Sequence, residues 1–416
     1  MDFSGVSHPV INTTPESGTG LDAVYTLYET DGVSASYLPS GGSAADVKWY
    51  KFKEKGGGYA ELVSGITNDG TRSTLPVVEA NTGYYIEDGA KRYYFWVVDY
   101  SDFRFNLRSV SFPEEQDCGV ATIAFDADCA PIRYYTVNGS PKTLSRDIEI
   151  IYNTLQWNEE QTGFQNVSAS SMCDNIEELE VIPAPLCDTQ FTIRGDRFQV
   201  QWGEPVEYVS DTYLTKSIEV RTTATQTERD NPNEQKGDES ALGGSAPADI
   251  QFRSYCTDAV AFKEWQFSRD AEFREVLLRF NESDLDYSFR ENGTFYVKFT
   301  ASNEDASCTI DGDVYTITIG ESRLECPNAF SPDSSEGVND EWKVSYKSIV
   351  SFKCWIFDRY GTPIFSFDDP AMGWDGKYKG KYVRAGVYYY VIEAKGADGK
   401  EYNLKGDINI LKSKQQ

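Results

Sequence analysis

The stretch AGVYYYVIEAKGADGKEYNLKGDINILK, residues 385–412, places runs of β-branched and aromatic side chains on both sides of an Asp-Gly turn. Such residues suit a pleated, half-buried surface and favour strands over helices. Asp398-Gly399 tolerates the positive φ angles that a tight hairpin turn requires. Gly386 permits a turn before the run 387–392, so the stretch predicts an antiparallel hairpin with a central strand.

The rest of the chain repeats this pattern. Helical periodicity is nearly absent, and alternating segments of about five to eight residues are separated by Gly, Asp, Asn and Ser clusters. Further hairpin dipeptides are Asp69-Gly70, Asn138-Gly139, Asn292-Gly293 and Asp311-Gly312. The chain holds 27 Tyr, 23 Phe and 8 Trp. We therefore predict an all-β protein, a string of immunoglobulin-like and PKD-like antiparallel β-sandwich domains that ends in a C-terminal β-sandwich.

Changes in composition divide the 416 residues into four predicted domains. These are an immunoglobulin-like sandwich at 1–115, a small immunoglobulin-like module at 116–186, a third sandwich at 187–325 and a C-terminal domain at 326–416. Pro183-Ala184-Pro185 predicts a stiff joint between the second and third domains. Residues 222–249 are rich in Thr, Asn, Glu, Gly and Ser without periodicity, which predicts a flexible insertion.

The third domain contains WQF at 265–267, DYSF at 286–289 and NGTFYVKFTASN at 292–303. These segments resemble the last strands of the PKD-type immunoglobulin-like module. The segment after the tryptophan strand departs from that family, because its usual Gly-Asp-Gly turn is here Ser268-Arg269-Asp270. The resemblance implies an extracellular spacer or adhesion unit.

Residues 326–416 carry several motifs in order: CPNAFSPD at 326–333, GVNDEW at 337–342, WIFDRYGTPIF at 355–365, GWDG at 373–376, AGVYYYVI at 385–392 and LKGDINILK at 404–412. Together they resemble the gliding-motility-associated, type B C-terminal domain of type IX secretion cargo in Bacteroidetes. The opening departs from that family, because the usual Pro-Asn-Gly-Asp-Gly becomes PDSSEG at 332–337. This change weakens the case for a metal in that loop.

The resemblance implies a sorting domain that the outer-membrane type IX machinery recognises through its folded surface and its last strand. The residues that carry it are Pro327, Asn328, Phe330, Pro332, Asn339, Asp340, Trp342, Asp358, Arg359, Gly361, Trp374, Asp375, Gly376, Gly386, Tyr388 and Gly406. Each of them also suits simple maintenance of a fold. Lys412 and Lys414 flank the last strand and are candidates for recognition.

The implied location is the extracellular space or the outer-membrane surface. Residues 1–10 contain no basic region followed by an apolar core, so we expect a signal peptide to have been removed. No run approaches the ~18 apolar residues of a transmembrane segment.

The charge is strongly acidic and unevenly distributed. The formal net charge is −27, which argues against a nucleic-acid partner because phosphate binding needs clustered Lys and Arg. Residues 327–416 hold 13 Lys and Arg against 12 Asp and Glu, so the excess of acid lies in the first 326 residues. This change in net charge is compatible with an interaction between the near-neutral C-terminal segment and an acidic partner.

The segment 92–100, RYYFWVVDY, is apolar on both faces. One face must line a core, and the other is either covered or able to bind. Tyr93, Tyr94 and Trp96 are therefore candidate ligand-binding aromatics for a glycan or protein ligand of a host or another surface. The alternative is a structural spacer in which a neighbouring module buries these rings.

Motifs for catalysis are absent: the sequence has no Gly-x-Ser-x-Gly elbow, no His-Glu-x-x-His helix and no phosphate-binding Gly loop. His8 is the single histidine and lies near a terminus that we expect to fray. We therefore predict a non-enzymatic protein without a cofactor. A hidden glycoside hydrolase is the remaining enzymatic alternative, because carboxylates are numerous. Weak calcium candidates are Asp126 with Asp128, and Asp311 with Asp313, which place paired carboxylates near turns.

Eight cysteines are present, and none forms a C-x-x-C pair, so zinc spacing is absent. Secreted β domains use sparse cysteines as disulfides. Cys129 with Cys173, and Cys256 with Cys308, are the candidate pairs, although sequence alone does not establish connectivity.

Overall fold

The computed structural model describes residues 1–41, 43–237, 241–332, 337 and 339–411. It divides into two compact units, Met1–Ser217 and Ile218–Gln416. Lys412 and Lys414 lie outside the described residues. The all-β prediction is confirmed, because strands form nearly all of the regular structure in both units.

The first sandwich packs a four-stranded sheet, β1-β4-β8-β7, against a six-stranded sheet, β2-β3-β10-β9-β5-β6. Its strands are β1 (Asp2–Ser4), β2 (Ile11–Thr13), β3 (Ala23–Leu27), β4 (Ser34–Tyr37), β5 (Lys48–Phe52), β6 (Glu61–Leu62), β7 (Thr67–Asn68), β8 (Ser73–Leu75), β9 (Thr82–Asp88) and β10 (Lys91–Asp99). Single 3-10 turns lie at Ala44–Asp46, Gly57–Tyr59 and Tyr100–Phe103. Trp49 is fully buried in the core, where its Nε1 donates to Ser73 Oγ at 3.0 Å.

The second sandwich packs β11-β12-β17 against β16-β15-β18-β19, with the hairpin β13-β14 to one side. Its elements are β11 (Asn106–Ser111), β12 (Val120–Asp128), β13 (Ile132–Tyr135), β14 (Pro141–Leu144), β15 (Ile148–Asn158), β16 (Gly163–Cys173), β17 (Leu179–Pro183), β18 (Thr189–Gly195), the helix α1 (Arg197–Trp202) and β19 (Val206–Tyr213). These pairings differ from the predicted boundaries at 115 and 186. β11 pairs with β12, and β18 extends the sheet of β15, because their buried rows share one core.

The second unit begins with a third sandwich, in which β20-β22-β25 packs against β21-β28-β26-β23-β24 and β27 pairs with β26. Its strands are β20 (Val220–Gln226), β21 (Leu242–Gly244), β22 (Ala248–Cys256), β23 (Phe262–Ser268), β24 (Leu278–Phe280), β25 (Asp284–Phe289), β26 (Gly293–Ser302), β27 (Thr309–Asp311) and β28 (Tyr315–Ile319).

The predicted flexible insertion at 222–249 is wrong for part of its length. Residues 222–226 lie in β20, which pairs with β22 through seven residues from Val220↔Cys256 to Gln226↔Ile250. Its alternating Thr side chains are β-branched and suit a strand despite their polarity. Residues 238–240 of this segment lie outside the described residues.

The C-terminal sandwich is built on the five-stranded sheet β30-β37-β36-β32-β33. Its strands are β29 (Arg323–Glu325), β30 (Ala329–Phe330), β31 (Ser345–Lys347), β32 (Ile349–Phe357), β33 (Pro363–Phe367), β34 (Lys377–Tyr378), β35 (Lys381–Tyr382), β36 (Gly386–Gly396) and β37 (Glu401–Ile410). The predicted hairpin is present as β36 and β37, which pair through ten residues from Gly386↔Ile410 to Lys395↔Glu401.

Candidate functional site

Two motif tryptophans form the centre of the C-terminal sandwich. Trp342 and Trp374 exchange backbone hydrogen bonds of 2.9 and 3.0 Å, and both side chains are fully buried. The indole Nε1 of Trp342 donates to Pro327 O at 2.7 Å, and that of Trp374 donates to Lys377 O at 2.9 Å. Because both buried donors are satisfied, the two rings fix the chain segments that carry the opening and middle motifs.

The opening motif is attached to the last strand. β30 runs parallel to β37, with Phe330 opposite Ile410. Asn328 O accepts hydrogen bonds from both the backbone N and Nδ2 of Asn409, at 2.9 and 3.1 Å, and Leu411 N donates to Phe330 O. The first and last segments of the domain are therefore held in one sheet.

The remaining motif residues mainly shape turns. Asp358 Oδ1 accepts from the backbone N of Tyr360 and Thr362, both at 2.9 Å, and Gly361 closes that turn with a φ of +81°. Arg359 stacks on Tyr360 instead of pairing with Asp358. Asn339 adopts a φ of +56°, which Asn tolerates better than most residues.

Close packing accounts for two further glycines of the motif. A Cβ on Gly376 would lie 3.0 Å from Pro332 Cγ, and one on Gly406 would lie 2.7 Å from the hydroxyl oxygen of Tyr390. The last motif positions are held by local contacts. Gly337 N donates to Asp340 Oδ2, and Asp375 pairs with Lys377. Tyr388 donates to the carbonyl of Arg384, two residues before Gly386. The structure thus gives these residues a role in the fold, and their recognition by a partner stays a prediction.

The hairpin β34-β35 beside Trp374 exposes basic and aromatic side chains that the sequence analysis did not select. Lys379, Lys381 and Arg384 are exposed, as are Tyr378 and Tyr382. The alternation of Lys and Tyr over 377–382 is the feature of the sequence that could have revealed this exposed hairpin.

The predicted ligand-binding aromatics of β10 do not form an exposed platform. Trp96 is only 1% exposed and packs against Phe52 and Tyr135, at ring-centroid distances of 5.9 and 5.5 Å. Tyr94 on the same face is half-buried against Tyr85. Tyr93 on the opposite face shares a 2.7 Å hydroxyl hydrogen bond with Tyr25.

A separate hydrophobic cluster explains this burial. It joins the outer face of the six-stranded sheet to the hairpin β13-β14 and to α1, and its members are Leu21, Val24, Phe52, Tyr85, Trp96, Val98, Tyr100, Ile132, Tyr134, Leu144, Phe198 and Trp202. We call this set the junction cluster. The second face of β10 is therefore an interface between the two sandwiches of the first unit.

A buried ion pair completes this junction, and sequence reasoning missed it. Arg146 Nη1 lies 2.6 Å from Asp196 Oδ2, and the Nη2 of the same arginine donates to the carbonyls of Phe103 and Ala130. Tyr100 donates its hydroxyl to Asp196 at 3.0 Å. Burial raises the pKa of Asp196 above the ordinary value of an aspartate, while Arg146 and these donors oppose that rise. The pair links the first sandwich, the loop between β14 and β15, and the start of α1.

The helix α1 also has a local signal. Asp196 accepts from the backbone N of Phe198 and Gln199, and Gln199 returns a contact to the backbone N of Asp196, which is a capping box. Gly203 ends the helix in the left-handed region with a φ of +82°.

Three of the four calcium-candidate carboxylates bind basic side chains of the chain itself. Arg108 binds Asp126 at 2.6 Å and Asp128 at 2.6 Å, and this hydrogen-bonded guanidinium lowers the pKa of both carboxyls. Asp311 binds Lys298 at 2.7 Å, and Asp313 takes no part in this ion pair. Within the described ranges, no group of three or more His, Cys, Asp or Glu side chains is arranged to hold a metal. Calcium at these positions stays a prediction.

The predicted cysteine bridges are wrong. Cys129, Cys173 and Cys256 are free thiols, so neither proposed pair forms. Cys129 Sγ instead donates to Asn175 Oδ1 at 2.9 Å, and burial raises the pKa of Cys173 to about 11. Both thiols are half-buried against the core of the second sandwich.

His8 is held in place and does not fray. Its ring stacks on Tyr28 at 3.9 Å, and its Nε2 lies 3.5 Å from Glu204. These contacts attach the first residues of the chain to the loop after α1.

Comparison with known families identifies two parts of the chain. Residues 324–410 match the CHU_C type IX secretion signal domain, which confirms the predicted sorting domain. Residues 109–210 match a fibronectin type III domain, a range that agrees with the second sandwich. A type IX signal implies export to the cell surface or the extracellular space. No curated protein matches the chain.

Solved structures also match the chain, at low TM-scores. One is the tetra-tandem repeat in the extending region of a large adhesion protein (11% identity, TM-score 0.23, 93% of this chain and 98% of that chain). Another comprises three N-terminal domains of the Highly Immunogenic Outer Capsid protein of bacteriophage RB49 (11%, 0.23, 74% and 100%). A third is dimeric latent PorU from Porphyromonas gingivalis (10%, 0.17, 77% and 35%). Similarity at these TM-scores carries no argument about function.

Among the described residues, no helix is both long enough and apolar enough to cross a bilayer.

Proposed function

We propose that this chain is a non-catalytic spacer that the type IX secretion system delivers to the bacterial cell surface, with residues 1–325 as its passenger. The observation that carries the spacer assignment is the junction cluster, which buries the second face of β10 between two sandwiches. The aromatic side chains in this cluster, among them Tyr85, Trp96 and Tyr134, join the modules and are not exposed to a ligand. A stiff joint is what a spacer needs, because flexible joints would let the modules fold back on one another.

Delivery rests on the signal domain at 324–410. Within the second unit this domain is bonded to the preceding sandwich. Asn233 Nδ2 donates to the carbonyls of Val344 and Pro370, both at 2.8 Å, and Gln235 N donates to Tyr346 O at 2.7 Å. A transplant experiment should therefore use all of Ile218–Gln416. Fused behind a signal peptide and a soluble reporter, this unit should bring the reporter to the surface or medium of a type IX-competent bacterium. A secretion-deficient strain is the control, and retention of the reporter in the periplasm of both strains would contradict the proposal.

Adhesion to a glycan or protein ligand is the second candidate, and one groove favours it. The groove has a volume of about 510 Å³ and is lined by Lys53, Glu54, Asn81, Trp96, Phe103, Ala130, Pro131, Arg133 and Tyr135. Trp96 Nε1 is buried without an acceptor among the described residues. A bound hydroxyl or carboxylate would supply one.

A panel of glycans and surface proteins separates these two candidates. The spacer proposal predicts no saturable binding by the full chain. Binding that is lost in Arg133→Ala, while the variant stays folded, would favour adhesion through the groove.

The same groove argues against the hydrolase alternative. Glu54 is the single carboxylate in its lining, whereas glycoside hydrolysis commonly uses a pair about 5–10 Å apart. This groove therefore does not fit paired-carboxylate hydrolysis, and the absence of catalysis in the proposal is to be tested with chromogenic glycosides.

A further inference from the structure

The hairpin β34-β35 carries a concentration of positive charge that the fold does not use. Residues 376–392 contain Lys377, Lys379, Lys381 and Arg384 and no Asp or Glu, in a chain whose net charge is −27. Lys377 is paired with Asp375 at 2.8 Å. In the part of the chain that the structure describes, the other three form no ion pair, so their charges are available to a partner.

The hairpin holds these cations outwards. Lys379 and Gly380 have φ values of +50° and +78°, the combination of a two-residue type I′ turn, which places Lys379 at the tip. Lys377 lies over the ring of Tyr382 and Lys379 over the ring of Tyr378, at 4.8 and 5.2 Å. The hairpin is anchored to the core by Trp374, whose indole donates to Lys377 O.

A second basic loop lies at the same end of the sheet. β32 ends where β36 begins, with Phe357 opposite Tyr389, so the turn after β32 lies beside the segment before β36. Arg359 lies in that turn, and Arg384 lies in the segment before β36, where its carbonyl accepts from the hydroxyl of Tyr388 at 3.0 Å. Asp358 is the acid of this loop and accepts two backbone hydrogen bonds, so the five cations Lys377, Lys379, Lys381, Arg384 and Arg359 are set against the acids Asp358 and Asp375. One end of the domain is thus cationic and bears exposed tyrosines.

We propose that this end of the C-terminal domain docks on an anionic lipid surface. Lysine is a strongly hydrated point charge that suits the diffuse negative charge of lipid phosphates, and tyrosine is favoured at the level of the headgroups. A lipid surface also presents many phosphates in one plane, so that several cations of one hairpin are engaged together. The proposal goes beyond delivery, because it concerns what the domain contacts at the membrane and does not require the type IX assignment.

Sedimentation with vesicles tests this docking on the full chain. The probe is phosphatidylcholine alone against phosphatidylcholine mixed with phosphatidylglycerol, at low and high salt. Because the whole chain is strongly negative, general electrostatics predicts repulsion from anionic vesicles. We expect binding to the anionic vesicles alone and its loss at high salt. Equal binding to both vesicle types, or to neither, overturns the proposal.

Variants locate the surface. Each cation near an anionic membrane contributes about fivefold to partitioning, so Lys379→Gln, Lys381→Gln and Arg384→Gln together should reduce it about a hundredfold. The control removes the same charge from the outer face of the five-stranded sheet through Lys353→Gln, Lys395→Gln and Lys405→Gln, and it should retain most of the binding. Equal losses in the two triple variants overturn the assignment to the hairpin. Lys379→Gln alone, at the tip of the turn, should reduce partitioning onto the vesicles about fivefold, and this single variant replaces the triple variant if the latter unfolds.

Another anionic partner would be recognised by competition. If soluble poly-glutamate binds the hairpin more tightly than vesicles do, the surface fits an acidic protein and the lipid proposal fails.

Discussion

Arg146 and Asp196 form an ion pair of 2.6 Å in which both side chains are fully shielded from solvent. Tyr100 and two backbone amides of α1 complete the hydrogen bonding of the carboxylate. Without Arg146, the buried carboxylate of Asp196 would lack a compensating positive charge. Arg146→Met should therefore reduce the free energy of unfolding by about 3–5 kcal/mol. Urea unfolding followed by tryptophan fluorescence measures this loss.

The matched control for this change is Arg133→Met. Arg133 lies on β13 of the same junction but is exposed and forms no ion pair within the described residues. The control should change stability by no more than about 0.5 kcal/mol. Equal effects of the two variants would contradict a structural role for the buried pair.

Trp374→Ala should destabilise the C-terminal sandwich and prevent export. The ring is fully buried against Phe330 and Tyr388, and removal of a buried tryptophan costs about 3–5 kcal/mol. Val391→Ala, on the exposed outer face of β36, is the control and should leave both stability and export nearly unchanged. Thermal unfolding and localisation of both variants are the measurements, and normal export of a destabilised Trp374→Ala protein would separate folding from sorting.

Asp99→Asn should remove part of the acid sensitivity of the first unit. Burial alone would raise the pKa of Asp99, but hydrogen bonds from Ser101 and Thr30 outweigh it and lower the pKa below its ordinary value. A carboxyl whose pKa is lowered by folding stabilises the native state above its unfolded pKa of about 4, and this contribution is lost as the pH falls through the folded pKa.

The wild-type protein should therefore lose stability below about pH 4 in a step that Asp99→Asn lacks. At neutral pH the variant should be less stable by about 1–3 kcal/mol, because an amide cannot accept all of these hydrogen bonds. Asp31→Asn, at an exposed position, should keep the step. Identical pH profiles for all three proteins would refute the assignment.

Cys129, Cys173 and Cys256 should react with iodoacetamide in urea without prior reduction, because each is a free thiol in the structure. Mass spectrometry of the peptides gives the extent of alkylation at each site. In the folded protein, reaction at Cys173 should be slow at neutral pH, since burial raises the pKa of its thiol to about 11. Peptides of Cys129 and Cys173 joined by a disulfide would contradict the structure.

Sequence patterns predicted the strands and the C-terminal domain well, because both depend on local information. The Asp398-Gly399 turn and the alternation after it specify the β36-β37 hairpin without reference to distant residues. The order of motifs around Trp342 and Trp374 likewise predicted the signal domain that the family match confirms.

Sequence patterns did not predict the domain boundary near 186 or the burial of Trp96, because both depend on contacts between residues that are distant in sequence. The sheet that joins β15 to β18 crosses the predicted boundary at 186, and no local signal reveals that Ile150 faces Ile193. Burial of Trp96 depends on Tyr135, which lies in another module. One local signal for the helix α1 is present in the sequence, because Asp196 and Gln199 have capping-box spacing. An isolated six-residue helix is too short for periodicity to reveal.

Localisation in a type IX-competent bacterium tests the central claim most directly, by comparing the intact protein with a chain that ends after Glu325. The account predicts that the intact protein reaches the surface or the medium, while the shortened chain accumulates in the periplasm. Equal export of both proteins would contradict it, because residues 326–416 would then not be the signal that delivers the passenger.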